Sequence, residues 1–401
     1  MSSPDRRYSV LVAADALKET ASSLEVVTAI AEGVRRASPS TVVDRAPLGD
    51  GGEGTLDVLA GTHADLILQE VPDCGARPDL PGRPARWGLR PTRSQAVVEL
   101  AEAAGLTTVP HERRDPWRAG TASVGRVLEA ARASLIGGGT GPGEIVLTVG
   151  GSATIDGGIG AARALGLIVD GPSGPSERPL VAGDLESVRS VAIPEDLVDR
   201  WRGIRLRIAA DVGNPLLGPR GAARVFGPQK GADTRMIRRL EAGLEHWSTL
   251  LATATGVRFD GPGVGAAGGV VVGLSPLLGP DADLDAGLQS GFDLVAESIG
   301  LDDRLRRCDL VVTSEGCLDR TSFEGKVVGG VLDRAEVHRV PVLAVPGRVG
   351  DLPAFQRARF RAVRALSDTV GLDLAMTRPL EALSEATRLL LAEDLEGDLD
   401  R

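Results

Sequence analysis

Lysine is almost missing from this chain. Of the 45 basic residues only three are lysine: Lys18, Lys230 and Lys326. Each lies inside a glycine- or acid-rich motif rather than on an anonymous helix surface. A compact ammonium on a flexible stem does things that arginine's rigid planar fork does not, so the three lysines mark candidate sites. The sole asparagine, Asn214, sits in a similar setting, Asp211-Val-Gly-Asn-Pro-Leu-Leu-Gly218. Aromatic residues make up 3% of the chain, which excludes an aromatic core and leaves an aliphatic one. Cys74, Cys308 and Cys317 form no CxxC pair and no zinc-like spacing, as expected of a reducing compartment. His63, His111, His246 and His338 sit in unremarkable contexts with no Ser-His-Asp arrangement, so hydrolase triads and zinc chemistry drop out.

No apolar run approaches the roughly 20 residues needed to cross a bilayer. Asp15 follows the apolar stretch 10–14 too early for a secretory h-region. The formal net charge is −10 and the pI about 5.1, whereas a nucleic-acid protein carries a basic face. An anionic ligand must then be held by a local site rather than by the global field. The composition therefore predicts a cytoplasmic protein with neither membrane nor nucleic acid as partner.

What is present is a long, soluble-type chain. Its 401 residues exceed one ordinary core and predict two domains. It is 42% hydrophobic with a mean hydropathy of +0.03, and its 52 glycines follow no collagen-like period. Short aliphatic runs alternate with amphipathic stretches, the pattern of a parallel sheet covered by helices. Strands are expected at 9–14, 145–149, 206–210, 310–313 and 341–345. A helix is expected over 23–37, with Leu24, Val27, Ile30, Ala31 and Val34 on its buried face. Each strand runs into a loop of Asp, Glu, Gly, Ser or Thr, and in open α/β sheets ligands bind at the carboxyl ends of strands. Residues 72–94, rich in Pro, Arg and Gly, read as a surface excursion, residues 136–143 as a flexible turn, and the acidic tail from Leu391 as frayed.

Several of these loops could carry chemistry. Gly150-Gly-Ser-Ala-Thr-Ile-Asp-Gly-Gly158 follows a strand and opens a helix, which would present backbone N–H groups and the positive helix end to an anion. It is neither the P-loop nor the GxGxxG pattern, and a plain glycine turn explains it about as well. In Gly49-Asp50-Gly-Gly-Glu53-Gly54, glycines expose two carboxylates; Asp50 could bind Mg²⁺ or act as a base, while Glu53 is equally explained by a helix start. Asp211 and Asn214 could hold a hard cation or a substrate hydroxyl, or simply begin a turn. Lys230 could reach a phosphate or carboxylate. Glu315, Asp319 and Lys326 repeat the theme of acids with one ammonium. Such parts are those of phosphoryl transfer: positioning, a metal clamp, cationic neutralisation and a base.

Seven motifs in order strengthen that reading: Asp15-Ala-Leu-Lys18, Pro47–Thr55, Gly150–Gly158, Asp211–Pro219, Val225–Asp233, Gly265–Gly269 and Ser314–Asp319. Together, over about residues 8–380, the chain resembles the bacterial glycerate kinase family of the glyoxylate and glucarate pathways. The resemblance implies ATP- and Mg²⁺-dependent phosphorylation of D-glycerate to 2-phosphoglycerate. It also implies a two-domain α/β fold, a flavodoxin-like parallel-sheet domain (1–65 plus 290–401) with a second α/β domain inserted at 66–289.

Combined with the loop chemistry, it makes Asp15, Lys18, Asp50, Asp211 and Lys326 the expected catalytic residues, with Asp50 and Asp211 holding the metal. Gly150, Gly151, Ser152, Asp156, Gly157 and Glu315 are expected on the nucleotide. Glu53, Asn214, Lys230, Asp319 and Arg320 are expected on the acceptor. A homodimer stays open. Three departures from the family pattern stand out, the first changing the surroundings of Lys18 and the other two bearing on the acceptor. Asp-Ser-Phe-Lys-Gly is here Asp15-Ala-Leu-Lys-Glu19, Gly-Glu-Gly-Arg-Leu-Asp is Ser314-Glu-Gly-Cys-Leu-Asp319 with Arg320 as a stand-in, and Gln-Thr-x-Gln-Gly-Lys is Thr321-Ser-Phe-Glu-Gly-Lys326. A different small hydroxy acid, or a relative that binds without turnover, are the alternatives.

Overall fold

The computed structural model describes residues 8–17, 20–137, 142–171, 178–278 and 288–399, which divide into two compact units. Unit 1 comprises Met1–Asp50, Asp57–Thr62 and Phe292–Arg401; unit 2 comprises Gly51–Leu56 and His63–Gly291.

Unit 1 is built on a five-stranded, wholly parallel sheet. Its strands are Ser9–Ala14, Val42–Pro47, Leu310–Thr313, Val342–Ala344 and Ala362–Val363. Counted along the chain they lie in the order 2-1-3-4-5, the flavodoxin-like arrangement. The buried aliphatic runs make this possible, since a parallel strand covered on both faces needs apolar side chains on both; Val10, Leu11 and Val12 are all inaccessible. Helix Ser23–Ala37 starts at a capping box, Ser22 with Glu25, and ends with Arg35 and Arg36 against its negative end. It buries Val26, Val27, Ile30, Ala31 and Val34. Leu24, expected on that face, is 54% exposed, because Val26 takes its place in the helical phase. The helix packs on Pro379–Leu399, and Gly33 permits the approach: a Cβ there would lie 2.4 Å from the Ser384 carbonyl oxygen. As far as Leu399, the tail from Leu391 is helical rather than frayed. It continues that last helix, with Leu390 and Leu391 in the core and Glu393 and Asp394 paired to Arg364 and Arg361.

Unit 2 carries a six-stranded sheet. Parallel strands Leu288–Gln289, Ile204–Ala209, Gly143–Thr148 and Gln95–Glu99 are followed by antiparallel Arg83–Arg90 and Ile67–Cys74. Residues 72–94 thus hold one whole sheet strand, Arg83–Arg90, and the end of another, rather than forming only a surface excursion. Trp87, Ala85 and Cys74 turn inward and supply the apolar face that a sheet strand needs. Trp247, Leu128, Leu147, Ile155 and Ile159 pack the core of this unit. The turn expected at 136–143 falls partly on residues 138–141, outside the described residues. No helix among the described residues is long and apolar enough to cross a membrane.

Candidate active site

In unit 2 three neighbouring parallel strands end together, and an acid or glycine follows at each end. Glu99 closes the first, Gly150 and Gly151 follow the second, and Asp211 follows the third. The glycine-rich segment 51–56 is tied to all three ends. Gly150 N donates to the Gly51 carbonyl at 3.1 Å. A Cβ on Gly150 would lie 2.4 Å from Gly52 Cα, so the two glycine loops meet backbone to backbone and only glycine fits. The Glu99 carboxylate, 2% exposed, accepts from Gly54 N at 3.1 Å and Leu56 N at 2.9 Å. Asp211 accepts from Gly291 N at 2.7 Å, and Gly51 packs against Gly291. Exposed Glu53 accepts from Thr107 Oγ1 at 2.9 Å.

The loop 150–158 is two-sided. Gly150 and Gly151 are accessible while residues 152–160 are buried. Asp156, expected against a phosphate, is 0% exposed and faces inward. It accepts from Thr121 N and Oγ1, both at 2.8 Å, and from Gly158 N and Gly160 N. Thr121 Oγ1 in turn accepts from Ala161 N at 2.9 Å. One carboxylate therefore closes the N-terminus of helix Ile159–Leu165 and binds the residue that opens helix Ala122–Gly137. The helix end that was to hold an anion already holds an internal one. Burial pushes the Asp156 carboxyl up, against the hydrogen bonds from Thr121, Gly158 and Gly160 that favour its charged form.

Lys230 lies beneath the same loop. Only 3% exposed, it donates to Ser152 Oγ at 2.8 Å and to the Thr154 carbonyl at 2.9 Å, with the Phe226 ring 5.8 Å away. Burial brings the amine down to about 7, with the charge of Asp156 opposing the fall. Lys230, expected on the acceptor, thus lies inside the protein and braces the loop from beneath. Asn214 is likewise engaged, its amide donating to the Arg220 carbonyl at 2.8 Å.

In unit 1, Asp15 and Asp50 follow the carboxyl ends of adjacent strands Ser9–Ala14 and Val42–Pro47. Asp15 Oδ1 accepts from Ala16 N at 2.7 Å and Ser23 Oγ at 3.2 Å, and Ser23 also donates to the Leu48 carbonyl. Strand Leu310–Thr313 delivers Ser314 and half-buried Glu315, whose carbonyl accepts from Gly347 N. Asp319 caps the short turn Arg320–Phe323, accepting from Thr321 N at 2.8 Å and Thr321 Oγ1 at 2.7 Å. The Thr321 bonds hold its carboxyl below the usual range, and Lys326 adds to the effect. Lys326 Nζ donates to Thr321 Oγ1 at 2.7 Å, just ahead of helix Val327–His338. Arg320, exposed, pairs on the surface with Asp351 at 3.3 Å. Lys18 lies outside the described residues.

The model of the glycerate kinase family matches residues 10–393. The chain belongs to the glycerate kinase family. This family member is 34% identical over 388 residues to the glycerate 2-kinase of Escherichia coli (strain K12), covering 96% of this chain and 97% of that one. It is 35% identical over 343 residues to the glycerate kinase of Bacillus subtilis (strain 168), covering 85% of each. A Salmonella typhimurium LT2 protein solved as a candidate glycerate kinase 2 superposes with a TM-score of 0.75 at 32% identity, over 98% of this chain and 99% of that one. The family makes the protein a kinase acting on a small molecule.

Two residues of this glycerate kinase family member escaped the motif search. Glu99 ends a strand as Asp211 nearly does, yet Glu99-Leu-Ala-Glu102 reads as a helix start and hid it. Thr121, buried at 0%, gives no local signal, since its partner lies 35 residues away. As for a metal, no three potential ligands cluster among the described residues. Carboxylates such as Asp50 and Asp211 suit Mg²⁺, which is commonly held by one or two carboxylates with phosphate and water oxygens.

Proposed function

We propose that this protein transfers a phosphoryl group from ATP to the 2-hydroxyl of D-glycerate, in the cytoplasm and with Mg²⁺. The observation that carries this reading is the gathering of Glu99, Gly150–Gly151 and Asp211 at three parallel strand ends, with the segment 51–56 tied across them. Accessible backbone at Gly150 and Gly151, free of Cβ atoms, lets a phosphate come close. Ser152, Asp156, Gly157 and Lys230 act from behind, by fixing that turn. In unit 1, Lys326 offers its ammonium ahead of a helix N-terminus, where negative charge is stabilised. Asp15 and Asp50 are the candidates for orienting the acceptor hydroxyl and accepting its proton. Asp50 in unit 1 and Asp211 in unit 2 are each candidates for holding the Mg²⁺, and when bound the metal would neutralise charge on the phosphates.

ADP release from purified protein given ATP, Mg²⁺ and D-glycerate tests the reading, with the phosphate position read by phosphorus NMR. Absence of turnover across D-glycerate and a panel of small hydroxy acids sinks it. Turnover confined to another hydroxy acid transfers the proposal to that acceptor.

A further inference from the structure

The short strands Cys317–Leu318 and Arg348–Val349 of unit 1 form a parallel pair, with Cys317 opposite Arg348 and Leu318 opposite Val349. Each follows closely on a strand of the main sheet, Leu310–Thr313 and Val342–Ala344, at its carboxyl end. Arg348 N donates to the Gly316 carbonyl at 3.1 Å and Gly350 N to the Leu318 carbonyl at 2.9 Å. A Cβ on Gly347 would come within 2.5 Å of the Gly316 oxygen, so the two segments lie in close backbone contact. Opposed residues of a strand pair project from the same face. Burial raises the Cys317 thiol, and the Arg348 guanidinium is near enough to oppose that rise.

Arg348 is exposed, and among the described residues its guanidinium has no hydrogen-bond or ion-pair partner. Several other arginines of unit 1 are paired. Arg320 pairs with Asp351, Arg359 with Asp333 and Glu336, Arg361 with Asp394, and Arg364 with Glu393. The opposite position holds cysteine, too short to compete for the space above the pair. Asp351, three residues further on, pairs with Arg320, and Asp319 accepts from Thr321 through Oδ1 and from Cys317 Sγ through Oδ2 at 3.6 Å. An arginine left open at the carboxyl ends of parallel strands has the fork geometry that grips a planar or tetrahedral oxyanion through two parallel bonds.

We infer that Arg348 is the oxyanion-binding residue of this loop cluster, gripping either the carboxylate of the acceptor or a phosphate of the donor. The identity of that oxyanion rests on the kinase reading above. Steady-state kinetics and calorimetry on Arg348→Ser, with D-glycerate and ATP varied separately, test the inference. One lost charged hydrogen-bond pair predicts a KM or Kd weaker by roughly tenfold to a hundredfold for one ligand, with the melting temperature unchanged. A change confined to D-glycerate assigns the carboxylate; a change confined to ATP assigns the phosphate. Because 317 and 348 are opposite each other, the double variant Cys317→Arg/Arg348→Ser should recover most of the loss. Wild-type constants for both ligands in Arg348→Ser, or no recovery in the double variant, overturns it. Binding without turnover sinks the kinase reading alone, whereas turnover with unchanged constants in Arg348→Ser sinks the Arg348 assignment alone.

Discussion

Lys230 and Lys326 carry the same sequence signal, a rare lysine beside glycine, yet the two regions use it in opposite ways. Lys230 is enclosed by unit 2 and spends two of its hydrogens on Ser152 and the Thr154 carbonyl. Lys326 is partly open in unit 1 and holds a single hydroxyl, Thr321 Oγ1. Desolvation disfavours the charged form of the first and leaves the second able to serve a ligand. The same division runs through the acids. Asp156 is consumed by two helix starts, whereas Asp319 is held by its own turn near the surface. The same rare residue thus serves as an internal brace in one place and stands partly open in the other.

Breaking the buried side should have the largest effect. Asp156→Ala leaves Thr121 N, Gly158 N and Gly160 N without their acceptor inside the protein. Each buried donor stranded in this way costs about 1–3 kcal/mol, so the loss should be about 4 kcal/mol, read as a lower midpoint in denaturant unfolding. An unchanged midpoint would mean that the two helix starts do not depend on this carboxylate. On the open side, Lys326→Met should lower kcat on the order of a hundredfold, the range for one removed charge-stabilising donor, with no change in melting temperature. A parallel fall in stability would place Lys326 with Lys230 and erase the contrast. Gly150→Ala lies within unit 2, at the accessible start of the loop whose remainder is buried. Its new Cβ would stand 2.4 Å from Gly52 Cα and 2.9 Å from Gly52 N, backbone atoms that cannot swing aside. Strain of about 1–3 kcal/mol follows, and the expected reading is roughly tenfold weaker ATP binding by calorimetry.

How much of this was legible beforehand depended on where the determining contact lies. The parallel α/β class was readable because Val10-Leu-Val-Ala-Ala14 and Ile145-Val-Leu-Thr148 are apolar on both faces, which only a covered parallel strand explains. The sheet strands at 67–74 and 83–90 were hidden by Pro72, Arg83 and Pro84, although Trp87 and Ala85 do turn inward. Leu24 has helical spacing to the core, but the apolar stripe is wider than the face that packs. The glycine loops were legible as accessible backbone next to acids. Their sidedness was not, because it is set by Thr121 and Glu99, distant in sequence and silent by type. Asp156 reads as a ligand in one dimension and as a helix brace in three.

The gentlest way to separate the two lysines is to change pH rather than sequence. In the unfolded chain the Lys230 amine has its ordinary value of 10.5, and in the folded protein burial brings it to about 7. Below about 7 both states hold the proton, and the full penalty of burying an ammonium is present. Between about 7 and 10.5 the unfolded chain binds the extra proton, so stability must rise with pH. The slope contributed by one such group is at most about 1.4 kcal/mol per pH unit. Unfolding midpoints measured at pH 7, 8 and 9 should therefore climb more steeply in the wild type than in Lys230→Met, where this group no longer titrates. Parallel curves for wild type and Lys230→Met would mean that the amine keeps its proton when folded, held by Ser152, the Thr154 carbonyl and the charge of Asp156 against the loss of water.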